Sequence, residues 1–214
     1  MKKHIVCFGD SNTNGSNPSG GRWGRWERWT GVLQKLLGDN YYVIEEGCGG
    51  RTTVMEDWLE PDKNGRAQLP VALRTHRPLD LVVIMLGTND CKTRYRASAS
   101  VIAKGLDQVI RKARQNASRH FDLLVISPIH LGVGVGDADF DPEFDAASVA
   151  VSRNLANEYR KIALQNHAAF LNASDFAAPS VTDREHMDEK GHAALADAVY
   201  DKILALQKGL SNVI

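Results

Sequence analysis

The chain has 214 residues, of which 43% are hydrophobic and 24% are charged. This length suits one α/β unit, so we expect a single domain over residues 1–214. Lysine and arginine together number 26, aspartate and glutamate together also number 26, and the net charge is zero. Proteins that bind nucleic acid through its phosphates usually carry a basic excess, which argues against such a partner. No apolar run approaches the roughly 18 residues that cross a bilayer, so no membrane partner is expected.

The amino terminus and the cysteines indicate a cytoplasmic protein. The apolar run near the amino terminus covers only residues 5–8, whereas a signal-peptide core has roughly 7–15 residues. The cysteines are Cys7, Cys48 and Cys91, which form no C-x-x-C pair and are odd in number. We therefore predict reduced thiols and a cytoplasmic location.

Short runs rich in isoleucine, valine and leucine alternate with longer amphipathic stretches, a pattern typical of a parallel sheet covered by helices. The apolar runs predict five strands, at residues 3–8, 41–46, 80–86, 121–127 and 168–172. The amphipathic stretches predict helices at residues 29–37, 98–117, 145–166 and 189–208, with a shorter one at 68–75. The sequence therefore predicts an α/β fold, a three-layer α/β/α sandwich around a five-stranded parallel sheet.

Small and polar residues follow three of the predicted strands. They occupy residues 9–13, 47–52 and 87–90, and a fourth polar segment, residues 183–186, comes just before the last helix. Ligands of open parallel sheets bind beyond the carboxyl ends of the strands, where the loops converge. We therefore expect these four segments to meet at one edge of the sheet.

Residues in these segments have the chemistry of nucleophilic catalysis. A serine hydroxyl needs a base to take its proton, and the base works best when a carboxylate fixes its tautomer. Ser11, His186 and Asp183 supply these parts, and a single turn could join Asp183 to His186. The oxygen of a tetrahedral intermediate needs hydrogen-bond donors. The backbone N–H groups of Ser11 and Gly50 and the side-chain amide of Asn89 could provide them.

The four segments resemble the four sequence blocks of the SGNH, or GDSL, hydrolases, in the usual order and across nearly the whole chain. The residues that carry the resemblance are Gly9-Asp10-Ser11, Gly50, Gly87-Thr88-Asn89-Asp90 and Asp183-x-x-His186. The resemblance implies a flavodoxin-like SGNH hydrolase fold with Ser11 as the nucleophile. It also implies Gly50 and Asn89 as oxyanion donors. Asp183 and His186 would complete the catalytic set.

Further stretches are similar to the bacterial arylesterase and acyltransferase branch of this family, namely residues 28–33, 43–47, 51–53 and 79–90. This similarity implies a serine esterase that hydrolyses short-chain aryl or alkyl esters through an acyl-enzyme, with acyl transfer as a side activity. The expected partner is a small acyl ester, no cofactor or metal is required, and the similarity implies a homo-oligomer.

Two departures from the family pattern affect these expectations. Glu46 stands where many relatives have asparagine, and we do not expect its carboxylate to contribute to the oxyanion site. Residues 14–16 lack the tryptophans that the acyltransferase branch tends to carry after the nucleophile. We therefore expect a wider and wetter pocket beside Ser11. Such a pocket would favour hydrolysis, because exclusion of water is one way in which these enzymes favour acyl transfer to alcohols.

Alternatives remain at this stage. His192 is a second candidate base, but its place inside the predicted last helix favours a packed or solvent-facing side chain. A metal set of Asp183, His186, Asp188 and His192 lacks the i, i+4 histidine pairing that is usual on helices. The same triad would serve a carbohydrate deacetylase or a thioesterase. A flavodoxin-like domain could also bind a small ligand without catalysis.

Two other segments lie outside the four blocks. Residues 132–145, rich in glycine and aspartate, predict a long connection near the site that could act as a lid or a subunit contact. Residues 22–29 mix arginine with tryptophan, and we interpret them as a buried or interfacial aromatic cluster with cation–π contacts.

Overall fold

The computed structural model describes residues 2–208, and its centre is one five-stranded parallel sheet. The strands are β1 (Lys3–Gly9), β2 (Tyr41–Gly47), β3 (Leu81–Met85), β4 (Asp122–Ser127) and β5 (Ala169–Asn172). Their spatial order is β2-β1-β3-β4-β5, and every neighbouring pair is parallel. The predicted α/β fold with a five-stranded parallel sheet is confirmed.

Helices cover both faces of the sheet. They are α1 (Ser11–Asn14), α2 (Trp29–Leu37), α3 (Gly65–Thr75), α4 (Ala99–Gln115), α5 (Ala146–Gln165) and α6 (Glu189–Gln207). The predicted helix at 68–75 begins earlier, at Gly65, because the side chain of Asn64 caps it by accepting a hydrogen bond from Ala67 N at 3.2 Å. The short helix α1 was not predicted.

The sheet is buried on both faces, as parallel sheets require. Along β1, Val6 and Phe8 pack with α3, α4 and α5, whereas Ile5 and Cys7 pack with α2 and α6. This alternation follows from the pleat, which sends successive side chains to opposite faces. The two apolar layers leave the strand ends as the place where polar groups gather.

The strand order reverses direction between β1 and β3, so the loops that follow these strands diverge and leave a crevice. The loop after β1 leads directly into α1. The loop after β3 is held by Tyr159, whose hydroxyl donates to the carbonyl of Leu86 at 3.0 Å. A Cβ on Gly87, whose φ is +127°, would lie 2.4 Å from that hydroxyl, so glycine is required there. The backbone just before Asn89 is therefore held in position by Tyr159.

The aromatic cluster at residues 22–29 is divided between core and surface. Trp29 is fully buried, whereas Trp26 is half-exposed and lies beneath Arg25 and Lys35 at 5.6 and 5.1 Å from the ring centroid. The predicted cation–π contacts are thus present. No helix within residues 2–208 has both the length and the apolar character that crossing a bilayer demands.

Candidate active site

Ser11 is the first residue of α1, at the carboxyl end of β1. Asp10 caps this helix, since its Oδ1 accepts a hydrogen bond from Asn12 N at 3.1 Å. Gly15 ends the helix in a left-handed conformation with φ of +83°. Ser11 Oγ is buried and forms no hydrogen bond with any described residue. Within the part of the chain that the structure describes, the hydroxyl therefore has no competing partner.

Asp183 and His186 form the expected pair within one turn of chain. Asp183 Oδ2 lies 2.7 Å from His186 Nδ1, and Oδ1 accepts the backbone N–H groups of Glu185 and His186, both at 3.0 Å. Burial disfavours charge on Asp183, but these hydrogen bonds outweigh it and lower the pKa of the carboxyl. Burial likewise opposes charge on His186, but Asp183 and neighbouring carboxylates raise the pKa of the imidazole.

Asn12 joins the helix of Ser11 to the segment of His186, and the sequence analysis did not identify it. Its Oδ1 accepts a hydrogen bond from Met187 N at 3.0 Å, and its Nδ2 donates to the carbonyl of Glu185 at 3.4 Å. These two bonds flank His186 on either side. The structure thus brings the two segments into contact, without a direct hydrogen bond between Ser11 Oγ and the imidazole. Such bonds often tighten only when substrate binds.

The loops after β2 and β3 meet opposite this pair. Asn89 is buried, and its Nδ2 donates to the carbonyl of Arg51 at 3.1 Å. The guanidinium of Arg51 donates in turn to the carbonyl of Gly9 at 2.8 Å and to that of Glu46. All three strand-end loops are thereby tied together. The four predicted segments do meet at one edge of the sheet.

Two backbone N–H groups at this edge remain available to donate a hydrogen bond to a ligand. Within residues 2–208, those of Ser11 and Gly50 have no hydrogen-bond acceptor. Gly50 adopts φ of +75°, a conformation that side-chain-bearing residues rarely adopt. Together with the amide of Asn89, these groups can stabilise a negatively charged oxygen.

Glu185 is a second residue that lies close to the proposed site and that the sequence analysis missed. Its carboxyl is almost fully buried, and Oε1 lies 3.7 Å from His186 Nε2, the nitrogen that Asp183 does not contact. Burial raises the pKa of Glu185 to about 7. The only sequence signal was its position beside His186, and that position does not reveal on which side of the imidazole the carboxyl lies.

Asp90 supports the loop after β2 through hydrogen bonds with Thr53. Its carboxylate accepts hydrogen bonds from the backbone N–H and the hydroxyl of Thr53, at 2.9 and 2.5 Å. Burial raises the pKa of Asp90 to about 6. The loop after β2 therefore has a buried, ionisable group as its support.

His192 has a packing role. It is fully buried in α6, its Nδ1 accepts a hydrogen bond from Trp29 N at 3.3 Å, and burial lowers its pKa to about 4. Asp188 caps α6 by accepting from Gly191 N at 2.8 Å. Two members of the conceivable metal set are thus occupied elsewhere.

Glu46 and the loop at residues 132–145 both contact neighbouring segments. Glu46 Oε1 lies 2.6 Å from Nε2 of His76, so its carboxylate contacts that imidazole. The loop at 132–145 contacts the base segment, because Arg184 donates to the carbonyl of Val133 at 2.9 Å and its own carbonyl accepts from Gly132 N at 2.8 Å. The predicted proximity of this loop to the site is confirmed.

Comparison with known proteins agrees with this geometry. The model of the GDSL-like lipase/acylhydrolase family matches residues 7–194. No match was found among curated proteins. One solved structure shares 40% identity with a TM-score of 0.92, covering 99% of this chain and 100% of the other.

Two named structures are similar over nearly their whole length. The carbohydrate acetylesterase Est24 from Sinorhizobium meliloti is 33% identical with a TM-score of 0.89, covering 96% of this chain and 100% of its own. The aryl esterase of M. smegmatis is 32% identical with a TM-score of 0.86, covering 95% and 99% respectively. The protein is therefore a carboxylic ester hydrolase, not a non-catalytic binding domain, and the chain belongs to the GDSL-like lipase/acylhydrolase family, the SGNH hydrolases.

Proposed function

We propose that this protein is a serine esterase for short-chain aryl or alkyl esters, with Ser11, His186 and Asp183 as its catalytic triad. The observation that carries the proposal is the 2.7 Å contact between Asp183 and His186 Nδ1, made in a segment that Asn12 joins to the helix of Ser11. A carboxylate on Nδ1 leaves Nε2 able to accept a proton from a serine hydroxyl.

The first half of the reaction acylates the serine. Ser11 Oγ attacks the ester carbonyl while His186 Nε2 takes its proton, and Asp183 stabilises the imidazolium. The N–H groups of Ser11 and Gly50 and the amide of Asn89 bind the developing oxyanion. One such donor can lower the barrier by about 3–4 kcal/mol. The imidazolium then protonates the leaving alkoxide, and the tetrahedral intermediate collapses to the acyl-enzyme.

The second half regenerates the enzyme. His186 removes a proton from water, the resulting hydroxide equivalent attacks the acyl carbon, and the serine leaves with the same proton. An alcohol in place of this water gives acyl transfer, which we propose as a side activity. Residues 14–16, which lack tryptophan, favour water at this step.

A carbohydrate ester is a second candidate substrate. The similarity to Est24, a carbohydrate acetylesterase, favours removal of acetyl groups from sugars by the same residues. A thioester would need no different machinery. The three substrate classes differ in the leaving group, so a substrate panel separates them.

We also propose that the chain is one domain, because all four segments of the site meet at one edge of a single sheet. A cytoplasmic location is supported by three unpaired cysteines. Assembly into a homo-oligomer is supported by large exposed apolar side chains, since Trp58 is 92% exposed and Leu59 is 74% exposed.

Replacing Ser11 by alanine should abolish hydrolysis of p-nitrophenyl acetate and leave the fold intact, because the substitution removes the proposed nucleophilic oxygen and no other atom. A fluorophosphonate probe should add one adduct mass to the wild-type protein and none to Ser11→Ala, as read by intact-mass spectrometry. Values of kcat/KM for aryl esters, acetylated sugars and acyl-CoA then rank the substrate classes. Retained activity in folded Ser11→Ala would disprove the nucleophile.

Replacing Glu185 by glutamine should move the acidic limb of the pH profile of kcat/KM to lower pH. The base works only when His186 is neutral, so activity is lost as the pH falls through its raised pKa. Removing the carboxylate near Nε2 destabilises the imidazolium and lowers that pKa. The exposed Glu189, changed to glutamine, is the control and should leave the limb in place. An unchanged acidic limb in Glu185→Gln would contradict the proposal that the Glu185 carboxylate raises the pKa of His186.

Replacing Asn12 by alanine should lower kcat/KM by about tenfold to a hundredfold, because a small displacement of base from nucleophile is sufficient for such a loss. It should also lower the free energy of unfolding by about 1–3 kcal/mol, since buried backbone groups lose their partners. Asn154→Ala, which removes an exposed helix contact to Ala150, is the control. Wild-type kcat/KM in Asn12→Ala would count against a positioning role for the two hydrogen bonds of Asn12.

Light scattering tests the homo-oligomer. The measured mass should be a multiple of the mass of one 214-residue chain, and Trp58→Ser should reduce it, because this side chain is the most exposed of the large apolar groups within residues 2–208. Monomeric wild-type protein at micromolar concentration would refute assembly.

A further inference from the structure

The turn at residues 57–63 packs directly over the Gly49–Gly50 peptide. A Cβ built on Gly50 would lie 2.8 Å from Glu60 Oε2 and 3.2 Å from Lys63 Cε. The side chains of this turn thus cover one face of the peptide whose N–H is a proposed oxyanion donor. None of the four sequence blocks includes this turn.

Lys63 contacts the other end of the same peptide group. Its Nζ donates a hydrogen bond to the carbonyl of Gly49 at 2.8 Å. The Gly49 carbonyl and the Gly50 N–H belong to one planar trans peptide, in which they point in opposite directions. An ammonium group on the carbonyl side therefore leaves the N–H directed away from Lys63.

We propose that Lys63 is a positioning residue for the oxyanion hole, acting through the Gly49–Gly50 peptide. The inference rests on the proposed function, in which Gly50 N–H binds the oxyanion. Lys63 does not contact the substrate. It determines the direction and the strength of the N–H that does.

The first effect of Lys63 is on orientation. Neither Gly49 nor Gly50 has a side chain, so rotation of the peptide between them meets little steric resistance. Such a rotation would turn the N–H away from the substrate oxygen. A charge-assisted hydrogen bond to the carbonyl opposes it, because rotation would break that bond.

The second effect is on polarity. A cation at the carbonyl oxygen draws electron density through the peptide and makes its N–H a stronger donor. The gain is largest when the acceptor is an oxyanion, whose charge exists only in the transition state and the tetrahedral intermediate. Acylation and deacylation both pass through such an intermediate, so both steps benefit.

Lys63 is itself held in place. Its Nζ lies 3.5 Å from Glu60 Oε2, and Glu60 Oε1 lies 3.5 Å from Lys92 Nζ. The backbone carbonyl of Lys63 separately accepts a hydrogen bond from Thr52 N at 2.9 Å. Changing the Lys63 side chain therefore leaves the backbone link between the turn and the loop after β2 intact.

The experiment compares Lys63→Met, which removes the charge but keeps the stem, with Lys63→Arg, which keeps a cation. The matched control is Lys161→Met on α5, because Lys161 also pairs with a glutamate three residues earlier, Glu158, at 2.6 Å. Steady-state kinetics with p-nitrophenyl acetate give kcat and KM for each variant, and thermal unfolding gives Tm.

We expect Lys63→Met to lower kcat by about tenfold with KM changed less than about twofold, because the lost interaction acts on the transition state more than on bound substrate. The loss is smaller than the roughly hundredfold or more for complete removal of a donor. Lys63→Arg should recover most of kcat, and Lys161→Met should match the wild type. Tm should be similar in all four proteins.

A second measurement separates positioning from a merely structural role. A trifluoromethyl ketone forms a tetrahedral adduct with the serine and places an oxyanion in the hole. Its affinity should fall in Lys63→Met by the same factor as kcat/KM. The affinity for the hydrolysis product, which forms no such adduct, should stay at the wild-type value.

Two results would overturn the proposal. One is a kcat of Lys63→Met within twofold of the wild type. The other is an equal loss of kcat in the methionine and arginine variants, accompanied by a lower Tm and unchanged affinity for the ketone relative to the product. Either result leaves the serine mechanism standing, whereas a fully active Ser11→Ala protein would remove the mechanism itself.

Discussion

The geometry of the site depends on the hydrogen bonds that the side chain of Asn12 forms with the backbone around His186. One amide group bonds to the backbone on both sides of His186 and so joins α1 to a segment 175 residues away. The contact is buried, and breaking it would leave unsatisfied polar groups out of reach of water. The distance between Ser11 and the imidazole is therefore governed by Asn12, which contacts the segments of both.

Charge is divided between the two sides of the site. Carboxylates of Asp183 and Glu185 lie against the two ring nitrogens of His186, whereas Arg51 and Lys63 donate to backbone carbonyls on the opposite side. This arrangement matches a reaction that places positive charge on the imidazole and negative charge on the acyl oxygen. Preorganised charges of this kind stabilise the transition state without rearranging during the reaction.

The strands and long helices followed from local patterns of apolar residues, because burial of a parallel sheet on both faces demands such runs. The ends of elements were harder to predict. α3 begins at Gly65 because the Asn64 side chain supplies a cap, and α1 exists because Asp10 and Gly15 close it at both ends. These are single hydrogen bonds and backbone conformations, which leave little trace in a hydrophobic pattern.

The sequence by itself determined the individual strands and the pairing of Asp183 with His186, because both depend on residues close together in the chain. Only the tertiary structure decided that Asn12 bridges to the base segment, that Glu185 faces Nε2, and that Lys63 binds the carbonyl of Gly49. The bridge joins residues far apart in sequence, and the two other contacts depend on how a turn folds back and which way a side chain points. Local spacing carries no information about any of these, because each depends on the folded conformation of the loops at the edge of the sheet.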